Sequence, residues 1–163
     1  MPRLAHNLIM SLWKRLFFPF FAGFLGSSLL FLFLVFVGLP ILPGGRGTDI
    51  FVYGSFFEEL IKFAIALVVI RFGTRPLRVA FVGVGFGIAE FFYRYIDTGS
   101  AGFLVPIMHA VAGIATAWYL HKAMQETERR YRFKYLLYAF LAGFLIHASY
   151  NEIMGNLYFY LTR

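Results

Sequence analysis

Two adjacent glutamates and a lysine lie inside an otherwise apolar stretch that runs from Ile50 to Ile70. A charge at the centre of a membrane-spanning helix costs roughly 2.5 to 3.5 kcal/mol on insertion scales, so Glu58, Glu59 and Lys62 require compensation. On a helix, Lys62 lies one turn from both glutamates and can pair with either. One carboxylate is then left over, and an ionisable residue at membrane depth indicates a functional site. A purely structural ion pair is the alternative.

Four further polar residues lie in the later apolar segments: Glu90, His109, His147 and Asn151. His147 and Asn151 are four residues apart, share one helix face and could donate hydrogen bonds to a developing oxyanion. A glutamate, either of the adjacent pair or Glu90, could take a proton from water. The carboxylates and imidazoles could equally bind a divalent metal such as zinc, with a bound water as nucleophile. The residue types and spacing leave both chemistries open.

Glu90, His109 and one glycine-rich run also have purely structural interpretations. Arg94 lies one turn from Glu90 and could neutralise it. His109, near the start of a predicted span, could be an interfacial histidine bonded to backbone. The run from Gly83 to Gly87 resembles a phosphate loop, but close helix packing through small residues explains it better.

Other hydrolytic mechanisms fit the sequence less well. Ser27 and Ser28 lie in the first apolar segment, where nothing marks either as a nucleophile. The only aspartates, Asp49 and Asp97, are predicted in loops, and no HExxH zinc motif is present. The absence of cysteine excludes disulfides, thiol nucleophiles and thiolate metal sites.

The elements that carry these residues are predicted from composition and segment length. The chain has 163 residues, of which 60% are hydrophobic and 21% aromatic, which is typical of an all-α polytopic membrane protein. A short amphipathic helix is predicted over residues 1–15 at the membrane surface. Five transmembrane helices follow, at about 16–39, 50–70, 79–96, 103–120 and 135–161. Pro40 to Gly47 is predicted to form a loop, as is a basic segment that contains Lys122, Arg129, Arg130, Arg132 and Lys134.

The basic residues predict the orientation of the chain. Eleven Lys and Arg residues flank the spans on the N-terminal side of the membrane, and only Arg46 and Arg163 lie on the other. We therefore expect a cytoplasmic N-terminus and an extracytoplasmic C-terminus. The basic residues fall between apolar segments rather than on a soluble face, so no nucleic acid partner is expected. At about 1.5 Å per residue, the polar groups of four spans fall in one layer of the outer half of the bilayer, which suggests a single site.

Four short motifs resemble those of the PrsW intramembrane proteases in order and spacing. They are Glu58-Glu59-x-x-Lys62, Phe86-x-x-x-Glu90, His109 followed by Gly113, and His147-x-x-x-Asn151. That family is related to the type II CAAX prenyl endopeptidases and to the Aph subunit of gamma-secretase. The CAAX enzymes have EExxxR and FxxxH where this chain has EExxK and FxxxE, so Glu90 stands in place of a histidine and His109 could supply the imidazole instead.

The resemblance implies that residues 1–163 form one integral protease domain of the plasma membrane, which cleaves membrane-anchored proteins such as anti-sigma factors. By the same resemblance, Glu58 and Glu59 would activate water, Lys62 would hold their geometry, and His147 and Asn151 would form the oxyanion site. Two other functions stay open: a proton or cation transporter, and a non-catalytic scaffold subunit. Metal dependence and the oligomeric state also stay open.

Overall fold

The computed structural model of the chain describes residues 10–11, 13–33, 47–98 and 102–161. In this part of the chain every regular element is helical, which confirms the all-α prediction. Among the described residues, a π-helical turn, Trp13–Phe17, leads into the first of five α-helices whose bounds are given, and a short 3₁₀ helix, Pro76–Val79, precedes the third. The α-helices are α1 (Phe18–Phe33), α2 (Gly47–Arg71), α3 (Ala80–Thr98), α4 (Leu104–Gln125) and α5 (Arg129–Leu161).

In the described part of the chain, three helical segments are long and apolar enough to cross a membrane: Arg15–Phe33, Pro76–Tyr93 and Leu104–Gln125. In α2, any stretch of 18 residues contains Glu58, Glu59 and Lys62, so α2 fails that test on charge. In α5, the basic first turns and the polar residues of the second half lower the mean hydropathy. The count of five spans therefore stays a prediction. The surface helix over 1–15 and the loop over 40–47 lie almost wholly outside the described residues.

The prediction of a basic loop between the fourth and fifth spans is wrong. Helix α4 continues past Leu120 to Gln125 and α5 begins at Arg129, so only residues 126–128 separate them. Lys122, Arg129, Arg130, Arg132 and Lys134 are all helical. The prediction of Asp49 and Asp97 in loops is also wrong, because α2 begins at Gly47 and α3 continues to Thr98. Lysine and arginine are good helix formers, and backbone hydrogen bonding continues into water after the apolar stretch has ended. The end of the apolar stretch is therefore not the end of the helix.

The helices pack in the order α1, α3, α4, α5 and α2, each against the next. Small residues allow the close contacts, as predicted for the Gly83 to Gly87 run. A side chain at Gly85 would collide with the backbone carbonyl of Phe20 on α1, and one at Gly83 would collide with that of His109 on α4. Gly113 faces Gly83 from the other side of the α3–α4 contact.

The turn after α2 is set by Gly73, which has a φ of +89°. Its N–H donates to the carbonyl of Ile70 over 2.8 Å, and the N–H of Thr74 donates to that of Val69 over 3.3 Å. These are the two bonds of a Schellman motif, in which glycine takes the left-handed conformation at low cost. The motif ends α2 and directs the chain into Pro76 and α3.

The interior of the bundle changes character along its length. Near the basic end lies an apolar cluster, which comprises Ala66, Val69, Val79, Val82, Ala117, Leu120 and Ala139. Further along the same helices the buried side chains are polar, among them Ser55, Glu59, Lys62, His109 and His147. Large apolar side chains such as Leu29, Ile114 and Leu145 are instead exposed on the outside. Apolar outside and polar inside is the arrangement expected of a protein associated with a membrane.

Candidate active site

The carboxylate of Glu59 lies at the centre of the polar interior. Its Oε1 accepts a hydrogen bond from Lys62 Nζ, one turn further along α2, and a second from His147 Nδ1 on α5 over 3.0 Å. The side chain is only 4% exposed. A buried carboxylate is stable when its charge is paired and its lone pairs are hydrogen-bonded. Glu59 therefore ties α2 to α5 through His147, while Lys62 balances its charge within α2.

His109 on α4 extends this network toward α3. Lys62 Nζ lies 2.7 Å from His109 Nδ1, and His109 Nε2 contacts Glu90 Oε2. An ammonium group can only donate, so Nδ1 accepts and the ring proton lies on Nε2, from where it is donated to Glu90. The order Glu90, His109, Lys62, Glu59, His147 is thus one continuous hydrogen-bonded chain across four helices.

Phe86 explains the spacing of the Phe86-x-x-x-Glu90 motif. Its ring centroid lies 5.0 Å from Lys62 Nζ and 5.8 Å from the centroid of the His109 ring. Phe86 and Glu90 lie one turn apart on α3, so both reach His109 from the same face. Phe86 is 1% exposed, so it also shields the lysine charge from solvent and contributes a cation–π contact.

Glu58 differs from Glu59 in its surroundings. Its side chain is 21% exposed, and its Oε2 lies 3.7 Å from His147 Nε2. His147 donates from Nδ1 to the Glu59 carboxylate, so in the neutral ring this bond fixes the tautomer with the lone pair on Nε2, the nitrogen nearest Glu58. A half-buried carboxylate beside an oriented imidazole is a suitable pair for holding and deprotonating a water molecule.

Asn151 lies one turn beyond His147 on α5. Its Nδ2 donates to Ser55 Oγ on α2 over 2.8 Å. Ser55 precedes Glu59 by one turn, and α2 and α5 run antiparallel, so the pairs Glu59–His147 and Ser55–Asn151 form two rungs of one contact. An amide nitrogen carries two hydrogens, so Asn151 has a second N–H for another acceptor.

Sequence reasoning missed Ser55, Gly143 and Thr116. A side chain at Gly143 would place its Cβ 2.7 Å from both Glu59 Oε2 and Thr116 Oγ1, so Gly143 makes room for the Glu59 carboxylate. Thr116 is itself buried and donates to the backbone carbonyl of Ala139 over 3.1 Å. Ser55 and Gly143 each precede a motif residue by one turn, which is the signal in the sequence that could have identified them.

The structure brings all the predicted site residues into one region. Glu58, Glu59, Lys62, Glu90, His109 and His147 are linked by direct contacts, and Asn151 adjoins them through Ser55. His109 is fully buried in the bundle, and its ring bonds to the side chains of Lys62 and Glu90. Glu90 pairs with His109; the side chain of Arg94, its predicted alternative partner, lies outside the described residues.

One group of described side chains has the composition of a metal site. Glu58, His109 and His147 offer ligand atoms within 4.8 Å of one another. However, Nδ1 of His109 is hydrogen-bonded to the Lys62 ammonium and Nε2 to Glu90, so a divalent cation would have to displace one of them. Without His109 only two of these ligands remain, whereas catalytic zinc usually has three protein ligands. The arrangement therefore does not fit a three-ligand metal centre.

Comparison of the chain with protein-family models, with curated proteins and with solved structures gives no match.

Proposed function

We propose that this protein is an intramembrane endopeptidase, which hydrolyses peptide bonds of membrane-anchored proteins. In this proposal the five α-helices cross the plasma membrane, the N-terminus is cytoplasmic, and the site lies in the outer half of the bilayer. The four short motifs of the PrsW resemblance and their convergence on one buried region support it.

One observation carries the proposal. Glu59, held by Lys62, orients His147 so that its Nε2 faces the carboxylate of Glu58. A carboxylate that fixes the tautomer of an imidazole, which in turn faces the reacting group, is the arrangement that hydrolases use to activate a nucleophile. A structural ion pair between Glu59 and Lys62 would not need the second glutamate or His147.

The proposed reaction begins with a water molecule that donates hydrogen bonds to Glu58 Oε2 and His147 Nε2. Glu58 takes the proton as the water oxygen attacks the peptide carbonyl. The second Nδ2 hydrogen of Asn151 is donated to the oxyanion. Glu58 then passes its proton to the leaving amine. His147, expected as an oxyanion donor, acts here as an acceptor because Glu59 holds its proton on Nδ1.

The decisive experiment measures cleavage of a single-span test substrate by the purified full-length protein in liposomes, with Glu58→Gln as the test variant. General acid–base catalysis contributes about 10²- to 10⁴-fold, so we expect a loss of at least about 100-fold with the melting temperature unchanged. The matched control is Glu152→Gln on α5. Glu152 is exposed, and its Oε1 accepts a hydrogen bond from Asn156 over 3.1 Å, away from the site. Equal activity of wild type and Glu58→Gln would refute the proposal.

A proton transporter is the second candidate, favoured by the unbroken hydrogen-bonded chain from Glu90 to His147. Such chains are typical of proton relays in membranes. Proton flux into the same liposomes, followed with an internal pH-sensitive dye, separates the two functions. Flux that Glu90→Gln abolishes, with no cleavage of any substrate by wild type, would establish transport instead.

A further inference from the structure

Three arginines converge at the basic end of the bundle, far from the polar interior. The ring of Phe18, at the start of α1, contacts the ring of Phe72 edge-on at 6.3 Å, which fixes the turn before α1 against the turn after α2. Arg15 lies three residues before Phe18, and Arg75 three residues after Phe72. Arg78 follows Arg75 in the same turn, where its N–H donates to the carbonyl of Arg75 over 2.9 Å, and the charges of Arg15 and Arg75 both act on its guanidinium.

This cluster has no acidic counterpart in the part of the chain that the structure describes. Neither Arg15, Arg75 nor Arg78 forms an ion pair with a described carboxylate. Two glutamates follow α4 at the same end of the bundle, but Glu126 Oε1 accepts from the backbone N–H of Glu128 over 3.0 Å. Three like charges held together without a carboxylate are stabilised when an anion binds between them.

The surroundings of the arginines indicate which anion this is. Phe72 is 73% exposed, and Phe17 and Leu77 are exposed beside the same turns. Apolar side chains next to basic ones on the surface mark the boundary between hydrocarbon and headgroups. The phosphate of a lipid bound here would contact the guanidinium groups, and its acyl chains would contact the aromatic and aliphatic side chains.

We propose that Arg15, Arg75 and Arg78 bind the phosphate of an anionic lipid. Each guanidinium can donate two parallel hydrogen bonds to phosphate oxygens, which lysine cannot do. The bound lipid would connect the start of α1 to the α2–α3 turn and neutralise their mutual repulsion. The proposal depends on membrane association alone, so it does not depend on protease activity.

The test titrates the purified full-length protein in detergent with phosphatidylglycerol and follows its Tm. We expect phosphatidylglycerol, but not phosphatidylcholine, to raise the Tm of wild type in a saturable manner. An arginine close to an anionic headgroup contributes about a fivefold change in affinity, and in detergent only the arginines that contact the bound lipid are close to one. The variant Arg75→Gln/Arg78→Gln should therefore need about 25-fold more phosphatidylglycerol for half of the effect. Without anionic lipid it should melt no lower than wild type, because two repelling charges are gone.

The matched control removes two arginines elsewhere at the same end. Arg129 and Arg130 are exposed on the first turn of α5, and Arg129→Gln/Arg130→Gln should keep the response of wild type. An equal loss in this control would mean diffuse surface charge and overturn the site. An equal rise in Tm with inorganic phosphate, or with phosphatidylcholine, would overturn the choice of an anionic lipid. If the double variant does not fold, Arg15→Gln must show the fivefold loss by itself.

Discussion

His147 on α5 donates its Nδ1 hydrogen to Oε1 of Glu59 on α2 over 3.0 Å. This bond joins two residues that are 88 positions apart in the chain, and it sets the face that each helix presents to the other. Because Glu59 also holds Lys62, the orientation of His147 depends on a charge that is balanced locally on α2. The glutamate that orients the site and the glutamate proposed to react are therefore neighbours with separate roles.

The first prediction concerns Glu59. The variant Glu59→Gln leaves the Lys62 ammonium buried without its counter-charge, and breaking a buried pair costs about 3 to 5 kcal/mol. We expect the Tm to fall by about 10 °C and cleavage to be lost. By contrast, Glu58→Gln should lose cleavage with little change in Tm. Thermal melting of both purified variants gives the comparison.

A double variant separates stability from activity at this position. Glu59→Gln/Lys62→Met removes both charges, so no unpaired ion remains, and replacing a buried ion pair by apolar groups is often neutral. At least half of the lost Tm should return, while cleavage stays absent because His147 is no longer oriented. A Tm as low as that of Glu59→Gln would contradict the pairing of Glu59 with Lys62.

The second prediction concerns Glu90, which contacts the ring of His109. The amide of Glu90→Gln can still accept the Nε2 hydrogen of His109, so we expect kcat to fall by about tenfold or less. Glu90→Leu removes the acceptor and should reduce both kcat and Tm. A loss from Glu90→Gln as large as that from Glu58→Gln would show that Glu90 reacts with substrate.

The sequence predicted which residues lie in this region better than it predicted which of them contact one another. Each motif joins residues one helical turn apart, and such spacing places two side chains on one face whatever the tertiary structure. It does not decide which helix that face meets. Lys62 bonds to Glu59 on its own helix, as local spacing allows, but also to His109 on α4. Glu90 contacts the same histidine, and helix packing rather than local spacing produces these two contacts.

Helix ends and supporting residues were harder to predict, for two physical reasons. An apolar stretch marks only the part of a helix that lies in an apolar environment. Helices α4 and α5 continue beyond it through basic residues that are good helix formers. Ser55 and Gly143 carry no charge, so nothing in composition marks them. They matter because one accepts from Asn151 and the other leaves space for Glu59.

The third prediction concerns metal removal. Since Lys62 and Glu90 occupy both nitrogens of His109, cleavage by wild type should be unchanged after treatment with a strong chelator. The measurement is the cleavage rate before and after chelation, with an authentic zinc protease as the positive control. Loss of activity that added zinc restores would contradict this and make Glu58 and the histidines metal ligands.

The fourth prediction concerns Ser55, whose Oγ accepts from Asn151 Nδ2. Ser55→Ala leaves that amide without its fixed partner, so the donor proposed for the oxyanion is misplaced. Loss of an oxyanion donor costs about 10²- to 10³-fold in kcat, and we expect up to about tenfold for misplacing one, with KM unchanged. Ser149→Ala on the exposed face of α5 is the matched control and should match wild type. A change in KM alone would argue against the oxyanion role.

The fifth prediction uses Gly143, the residue that makes room for the Glu59 carboxylate. The Cβ of Gly143→Ala would lie 2.7 Å from Glu59 Oε2, so the carboxylate must shift and with it His147. Overpacking typically costs about 1 to 3 kcal/mol, so we expect a moderate fall in Tm together with a large loss of cleavage. Gly54→Ala on α2 is the control, because no atom lies within 4 Å of its added Cβ, and alanine there should stabilise the helix by about 0.5 to 1 kcal/mol. Full activity of Gly143→Ala would mean that the position of Glu59 does not control the reaction.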